Sequence, residues 1–226
     1  MKYIKKRVEP PELGHWKAKA KAKAKQPSAG VNYDFDNLRD PPKGIVQDSL
    51  MREQGYICCY CCQRIATDTS HIEHLNPQHP ALKNESDPDL SLDYKNMLAS
   101  CGSDKHWPKH CGNKRGNQAI KVSPIQPNCE DFFSYTGSGE IRPQANNTVA
   151  QVEAAQQTIK ILGLNDYDLK EGRTQALEFL RSQFHQGLTT TQVSKRAQQI
   201  RNLDAQEKYQ PFWPAVSHYL KKYYDV

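Results

Sequence analysis

The stretch "YICCYCCQRI", residues 56–65, places four of the chain's seven cysteines within five positions. They form two overlapping C-x-x-C pairs, Cys58 with Cys61 and Cys59 with Cys62. A C-x-x-C turn lets two thiolates reach one tetrahedral metal ion, but redox dithiols and disulfides use the same spacing. Core packing does not account for four cysteines so close together. The cluster therefore indicates thiol chemistry and constrains the fold around it.

The composition favours reduced thiols. The chain has 226 residues, of which 37% are hydrophobic, and its mean hydropathy is −0.84. No apolar run approaches the roughly 18 residues of a membrane-spanning helix. The basic start of the chain lacks the apolar region of a signal peptide, so we expect a cytoplasmic protein, in which disulfides are disfavoured. A thioredoxin-type dithiol would need a strand–helix α/β setting, which the sequence does not indicate.

A metal site closed by protein ligands alone needs two more of them, and Cys101 and Cys111 in "SCGSDKHWPKHCGNKRGN" can supply them. The order becomes C-x2-C, about 40 residues, then C-x9-C. His106 and His110 lie inside the second segment and could replace one thiolate. Spacing alone leaves open which of the two overlapping pairs binds the metal.

The chain divides into three predicted parts. Residues 1–30 contain five lysines that alternate with alanine, and we predict an extended basic arm with all five charges on one side. The arm is interpreted either as a solvated linker or as a segment that contacts phosphate or a partner subunit. Residues 31–140 hold the cysteines and are poor in apolar patterning, so we expect a structural metal to stabilise them. Residues 141–226 are predicted to be helical.

Four apolar stripes at helical spacing predict a C-terminal helical bundle. The first stops at Gly163, the second at Gly187, and the fourth follows Pro211. The stripes comprise Val149, Val152, Ala155, Ile159 and Leu162; Leu169, Ala176, Leu177, Leu180 and Phe184; Val193, Ala197, Ile200 and Leu203; and Phe212, Val216, Tyr219, Leu220 and Tyr223. Nothing in these stripes indicates catalysis, so they are interpreted as core or interface.

The segment "SHIEHLNP" combines a carboxylate with a histidine. Its residues from His71 to Leu75 alternate like the end of a short strand, and Pro77 ends the pattern. Glu73 can bind a hard cation through oxygen. His74, neutral near pH 7, can take a proton from water. The pair suits a metal-assisted hydrolase, but a lone Glu–His pair is more often structural, so this interpretation depends on the residues that follow.

Further polar residues flank the second cysteine pair in the sequence. Asn96 precedes that pair by five residues, and Asn113 follows it closely. Lys114 and Arg115 come next, where a phosphate could be clamped. The formal net charge of +6 and the pI of about 8.9 suit a polyanionic partner such as nucleic acid.

Together these segments resemble an HNH endonuclease, a ββα-metal fold within a zinc-knuckle cage. They are most similar to the PtuB family of Septu and retron anti-phage systems, whose members act beside an ATPase called PtuA. The resembling segments cover roughly residues 5–118, about half of the chain: "KKRVEPPELGHW", "LMREQGYICCYC", "HIEHLNP", "LDYKNMLASC" and "HCGNKRGN". The resemblance implies an α+β, mostly helical protein, with a zinc-knuckle ββα-metal (HNH) nuclease core and a C-terminal helical bundle.

The resemblance also assigns the cysteines. The family's first knuckle, C-x-Y-C, falls on Cys58 and Cys61 with Tyr60 between them, and its second knuckle falls on Cys101 and Cys111. The neighbours of the first knuckle, Cys59 and Cys62, are then an extra pair that the family does not need as cysteine. The remaining cysteine, Cys129, is predicted to be free.

The same resemblance implies the catalytic set. The acid–histidine pair falls on Glu73 and His74, and the middle asparagine falls on Asn96. The final metal ligand falls best on Asn113. Because "GSDKHWPKH" stretches the last knuckle, His110 and Asn117 are rival candidates for that final ligand.

The implied reaction is phosphodiester hydrolysis with one divalent metal, Mg²⁺ in the first instance, on Glu73 and Asn113. His74 would deprotonate water, and Asn96 would hold the imidazole by accepting its other N–H. Zn²⁺ at the four cysteines would be structural. The implied partners are a PtuA-like ATPase and, in retron systems, a reverse transcriptase with its RNA-linked DNA.

A zinc-dependent module that binds nucleic acid and cuts nothing is the alternative. Its knuckles and basic excess would look the same, but it would not need Glu73, His74, Asn96 and Asn113 together. The sequence does not distinguish DNA from tRNA as the substrate, because positive charge recognises phosphate rather than sugar or base.

Overall fold

The computed structural model describes residues 1–25, 33–78, 87–103, 107–184 and 188–224. Within these residues the α-helices are α1 (Pro11–Ala24), α2 (Pro42–Glu53), α3 (Pro88–Ser91), α4 (Cys111–Arg115), α5 (Val149–Leu162), α6 (Tyr167–Gln183), α7 (Thr190–Arg201) and α8 (Trp213–Tyr224). The strands are β1 (Ser70–His74), β2 (Met97–Cys101), β3 (Phe133–Tyr135) and β4 (Ile141–Pro143). The α+β, mostly helical class predicted from the sequence is confirmed.

The lysine-rich N-terminal segment is a helix, so the prediction of an extended arm is wrong for residues 11–24. Proline at the first helical position is compatible with helix initiation, and alanine and lysine both have high helix propensity. Leu13 and Ala20 are buried, and Trp16 stacks on Tyr33 at 6.5 Å. In a helix, successive alternate lysines point to different sides of the axis, so the five charges do not share one face.

Strands β1 and β2 pair antiparallel, with Ser70 opposite Cys101 and His74 opposite Met97. Side chains alternate between the two faces of a strand, so His71 and Glu73 share one face and Ile72 and His74 the other. The short helix α4 packs on the first of these faces, where the Gly112 N–H donates to Ser100 Oγ at 3.4 Å. This β1–β2–α4 unit is the ββα element expected from the resemblance.

The C-terminal helices follow the predicted stripes. Helix α5 begins with a capping box, in which Thr148 accepts from the Gln151 N–H while the Gln151 side chain accepts from Thr148. It ends at Gly163, whose φ of 60° is the left-handed conformation that favours glycine. Helices α6, α7 and α8 contain the other three stripes except for one end residue of each, Phe184, Leu203 and Phe212, which lie just outside the helices. The predicted stop of the second stripe at Gly187 lies outside the described residues.

The main hydrophobic core draws on all three predicted parts of the chain. It includes Ile4 near the N-terminus, Leu50 of α2, and Ala155 and Leu162 of α5. A second cluster lies between the last helices and comprises Leu177, Leu180, Phe184, Ala197, Val216 and Leu220. The three-part division stays a prediction. Among the described residues, no helix combines the length and apolar character needed to cross a membrane.

Candidate functional site

Four buried cysteines meet at one point: Cys58, Cys61, Cys101 and Cys111. Their Sγ atoms lie within 4.8 Å of one another, and the Sγ atoms of Cys61 and Cys101 are 3.8 Å apart. Ligands about 2.3 Å from a tetrahedral Zn²⁺ lie about 3.8 Å apart, so the separation fits this ion. The cluster can therefore hold a metal such as zinc, and it is the set of four that the resemblance assigned.

The first knuckle is a tight turn in which the Cys62 N–H donates to the Cys58 carbonyl at 3.0 Å. The Cys101 N–H donates to Cys58 Sγ at 3.4 Å, which links the turn to the end of β2. Burial raises the pKa of Cys61 and Cys111, but at Cys58 thiol hydrogen bonds with Cys101 and Cys111 outweigh burial and lower the pKa. Metal binding must therefore displace protons from buried thiols.

The extra pair, Cys59 and Cys62, is buried but lies outside the metal-binding group. The Cys59 N–H donates to the Ala99 carbonyl at 3.0 Å, which joins the knuckle to β2. Burial raises the pKa of Cys62 to about 12, so this thiol stays protonated. Cys129 is likewise buried, and it forms no disulfide within the described part of the chain.

His110 belongs with the cysteines. Its Nδ1 lies 3.7 Å from Cys101 Sγ and 3.3 Å from Cys111 Sγ. The four thiols are all present, so His110 is not needed to replace one of them. As a rival of Asn113 for the catalytic ion, His110 stays a prediction. His106 lies outside the described residues.

Glu73 is 8% exposed and lies in a network of polar groups. Its Oε1 accepts from the Tyr60 hydroxyl at 3.0 Å and pairs with Arg115 Nη1. Its Oε2 lies 3.3 Å from His71 Nε2. Burial alone would raise the pKa of Glu73, but His71, Arg115 and Tyr60 outweigh it and lower the pKa. The carboxylate is therefore ionised at neutral pH, as a metal ligand requires.

Arg115 is buried, in contrast to the prediction that it binds phosphate. It is 1% exposed and donates to Glu73, to Tyr60 Oη at 2.9 Å and to the His74 carbonyl at 2.8 Å. Its Nε donates to the Gln118 carbonyl at 2.8 Å. Because the guanidinium is committed to these internal acceptors, it anchors Glu73 and the end of β1 instead of meeting substrate.

His74 is buried at the end of β1. Its Nε2 lies 2.8 Å from the Ser91 carbonyl, and the Phe35 ring meets it edge-on at 4.5 Å. A carbonyl can only accept, so Nε2 carries the proton and Nδ1 keeps its lone pair in the neutral ring. Burial lowers the pKa of His74, which keeps the ring neutral at pH 7. This side chain therefore has the protonation state of a general base.

Asn96 does not hold the imidazole of His74, in contrast to its predicted role. Its Oδ1 accepts from the Asn76 N–H at 2.7 Å, and its backbone carbonyl accepts from the Leu75 N–H at 2.9 Å. Its Nδ2 donates to the carbonyls of Asn76 and Leu90, each at 3.1 Å. Asn96 therefore holds the chain that follows β1, while the Ser91 carbonyl holds the imidazole of His74.

The remaining predicted residues lie on or after α4. The Nδ2 atom of Asn113 is buried and, within the described parts of the chain, lacks a hydrogen-bond partner. Lys114 is exposed, and Asn117 is exposed beyond the end of α4. Among the described residues, one atom of the Asn113 amide is thus left without a partner, which is consistent with a ligand role.

His71 has no role predicted from the sequence, but it lies in the site. Its ring lies between Glu73 Oε2 and the Gly102 carbonyl, which is 3.0 Å from Nδ1. The signal was available in the strand prediction, because residues two apart on a strand share a face. His71 also lines a cleft of about 440 Å³ beside β1, together with Phe35, Lys43 and Ser103.

No model of a known protein family matches the chain. A curated protein of Vibrio cholerae serotype O1 biovar El Tor, described as "Retron Vc95 putative HNH endonuclease", is 30% identical to it over 148 residues. The match covers 66% of this chain and 69% of that protein. With this identity over more than two thirds of the relative, and with the ββα element and cysteine cluster in place, the chain belongs to the HNH endonuclease family.

Proposed function

We propose that the protein is a metal-dependent endonuclease that hydrolyses phosphodiester bonds of nucleic acid, either DNA or tRNA. The observation that carries the proposal is His74, whose tautomer and low pKa suit a general base. His74 takes a proton from water as the water oxygen bonds to phosphorus. The bridging oxygen then leaves with the electron pair of the broken P–O bond.

Glu73 and Asn113 would hold the divalent cation, Mg²⁺ or another ion of that charge. The fit rests on the ionised Glu73 carboxylate and on the Asn113 amide, whose buried Nδ2 lacks a hydrogen-bond partner in the part of the chain that the structure describes. Such an ion, when bound, stabilises negative charge on the scissile phosphate and the leaving oxygen. Arg115 and Tyr60 fix Glu73 Oε1, so the other carboxylate oxygen keeps its orientation.

Zn²⁺ at the four cysteines would be structural, since protein ligands fill all four positions. It would fix the ends of β2 and α4, on which the other site residues depend. Of the two predicted phosphate-binding residues, Lys114 remains in this role because its side chain is exposed.

A role in anti-phage defence is the proposed biological setting. The Vibrio cholerae relative is named as a retron protein, and the sequence segments resemble the PtuB family. On this basis a PtuA-like ATPase would restrain or activate the nuclease. A reverse transcriptase with its RNA-linked DNA would join the assembly in a retron.

The test uses the chain purified with and without a PtuA-like ATPase, incubated with Mg²⁺ or Mn²⁺ and either plasmid DNA or total tRNA. Cleavage that disappears in His74→Ala would support the proposal, and the cleaved species would identify the substrate class. Cleavage by the free chain that the ATPase suppresses would show restraint. Zinc-loaded protein that binds nucleic acid but leaves every substrate intact, with and without the ATPase, would favour the binding module.

A further inference from the structure

The imidazole of His71 faces two oxygen acceptors. Its Nδ1 lies 3.0 Å from the Gly102 carbonyl, and its Nε2 lies 3.3 Å from Glu73 Oε2. A carbonyl oxygen cannot donate, so Nδ1 must carry a proton. In the neutral ring Nε2 then has a bare lone pair, which is aimed at a carboxylate oxygen. Two acceptors in contact need a cation between them, either a second proton on the ring or a metal ion.

The separation of the two atoms fits a shared metal ion. Nitrogen and oxygen ligands lie about 2.0–2.2 Å from a small divalent cation. At ligand–metal–ligand angles between the octahedral and the tetrahedral value, these bond lengths place two ligand atoms about 2.8–3.6 Å apart. The 3.3 Å between His71 Nε2 and Glu73 Oε2 lies within this range. Glu73 Oε1 is already bound by Tyr60 and Arg115, so Oε2 is the oxygen that faces His71.

The backbone of α4 leaves the space beside His71 Nε2 and Glu73 Oε2 free of any side chain. A Cβ on Gly112 would overlap Glu73 Oε2 and lie 2.9 Å from His71 Nε2, so glycine is required there. The next residue, Asn113, has a buried amide that lacks a partner among the described residues. That amide lies against Gly102, the residue whose carbonyl orients His71. Amide nitrogen and oxygen are assigned from their contacts, so the oxygen can occupy the buried position.

The place is also reachable from solvent. The His71 side chain is 31% exposed and lines the cleft beside β1. Ser103 lines the same cleft, as do the cation Lys43 and the carboxylates of Asp40 and Asp68. An ion held by His71 and Glu73 would therefore lie where a phosphodiester entering the cleft can meet it.

We propose that His71, through Nε2, is a direct ligand of the divalent cation, together with Glu73 Oε2 and the Asn113 side-chain amide. This inference rests on the proposed function, because it concerns the same metal. It also changes the expected ion. Imidazole favours first-row transition metals, whereas Mg²⁺ prefers oxygen ligands. The site should accordingly bind Mn²⁺ or Co²⁺ more tightly than Mg²⁺.

The test is Mn²⁺ binding to the zinc-loaded chain, followed by electron paramagnetic resonance with detection of ¹⁴N coupling. The wild type should show nitrogen coordination, which changes to the ¹⁵N pattern when histidine is labelled with ¹⁵N. His71→Gln should lose the nitrogen signal and bind Mn²⁺ at least about tenfold more weakly. His15→Gln, at an exposed position on α1, is the matched control and should keep both properties.

Nitrogen coupling that survives in His71→Gln, or a wild type saturated with Mn²⁺ that shows none, would overturn the inference. In the second case His71 would be an imidazolium partner of Glu73. The labelled wild type needs no variant, so its result stands even if His71→Gln does not fold. Cleavage that depends on His74 without nitrogen coordination would reject this inference and keep the proposed function. Nitrogen-bound Mn²⁺ without cleavage of any substrate would keep this inference and reject the proposed function.

Discussion

Arg115 and Glu73 form a buried ion pair at the centre of the site. Removing one member of such a pair leaves the other as an uncompensated buried charge, which costs about 3–5 kcal/mol. Arg115→Met should therefore lower the free energy of unfolding by about this amount, as measured by chemical denaturation. The neighbouring Lys114 is exposed, so Lys114→Met should change stability by less than about 0.5 kcal/mol. Equal losses in both variants would contradict the buried role of Arg115.

The buried imidazole of His74 makes stability depend on pH. Burial lowers its folded-state pKa below the ordinary value of about 6.5, so the unfolded chain takes up the proton first. The contribution of neutral His74 to the free energy of unfolding is fully present above about pH 6.5, and it is lost as the pH falls through the folded-state pKa. Between about pH 8 and about pH 5, the wild type should lose more unfolding free energy than His74→Gln. A variant that loses as much as the wild type would contradict the shift.

The same low pKa sets the pH dependence of cleavage. A general base acts when it is unprotonated, so the acidic limb of the kcat/KM profile should lie below about pH 6.5. The profile is measured under conditions in which zinc stays bound. An acidic limb above pH 7 would indicate either that another group controls the reaction or that the pKa of His74 is not lowered.

At the residue scale the sequence indicates which residues gather and is less informative about what each one does. Glu73 and His74 were recognisable as a pair, but Arg115 looks the same in sequence whether it meets phosphate or a buried carboxylate. Asn96 was assigned to the imidazole, a role that the Ser91 carbonyl takes from a part of the chain without any motif. The type of a residue does not indicate whether its backbone carbonyl will accept a hydrogen bond from a site residue.

The knuckles make a prediction at the scale of elements. Losing the metal should unfold residues 56–118, because binding energy at a structural zinc site is folding energy. Cys58→Ser should lose the single zinc that we expect in the wild type, together with the cooperative unfolding transition. Cys59→Ser is the matched control, since Cys59 is buried next to the cage but outside it. Zinc retained by Cys58→Ser and lost by Cys59→Ser would reverse the assignment of the two pairs.

The helical elements show where pattern analysis succeeds. The stripe from Val149 to Leu162 predicted α5 because apolar periodicity and the stop at Gly163 agree with each other. The N-terminal helix α1 was missed because its alternation of lysine and alanine has no apolar periodicity. Its formation depends on propensity and on contacts beyond the helix itself, such as the stacking of Trp16 on Tyr33 at 6.5 Å. A contact of that kind cannot be derived from a local pattern.

At the scale of the whole molecule, the nuclease part and the first C-terminal helix share a core. Val122 donates its N–H to Thr158 Oγ1 of α5 at 3.0 Å, and Leu162 packs in the main cluster. A fragment of residues 1–140 would expose that surface, so we expect it to lack a cooperative thermal transition. A fragment of residues 1–184, which keeps α5 and α6, should retain one. A stable, zinc-loaded 1–140 fragment would instead support a boundary near residue 140.

The most direct test of the account is the single-turnover cleavage rate of His74→Ala beside wild type, with His15→Ala as control. Zinc content and nucleic-acid affinity are measured on the same samples. General base catalysis contributes about 10²–10⁴-fold, so His74→Ala should lose at least that much rate while zinc and binding stay unchanged. His15→Ala should cleave like the wild type. Equal cleavage by wild type and His74→Ala would contradict the central claim that His74 activates the attacking water.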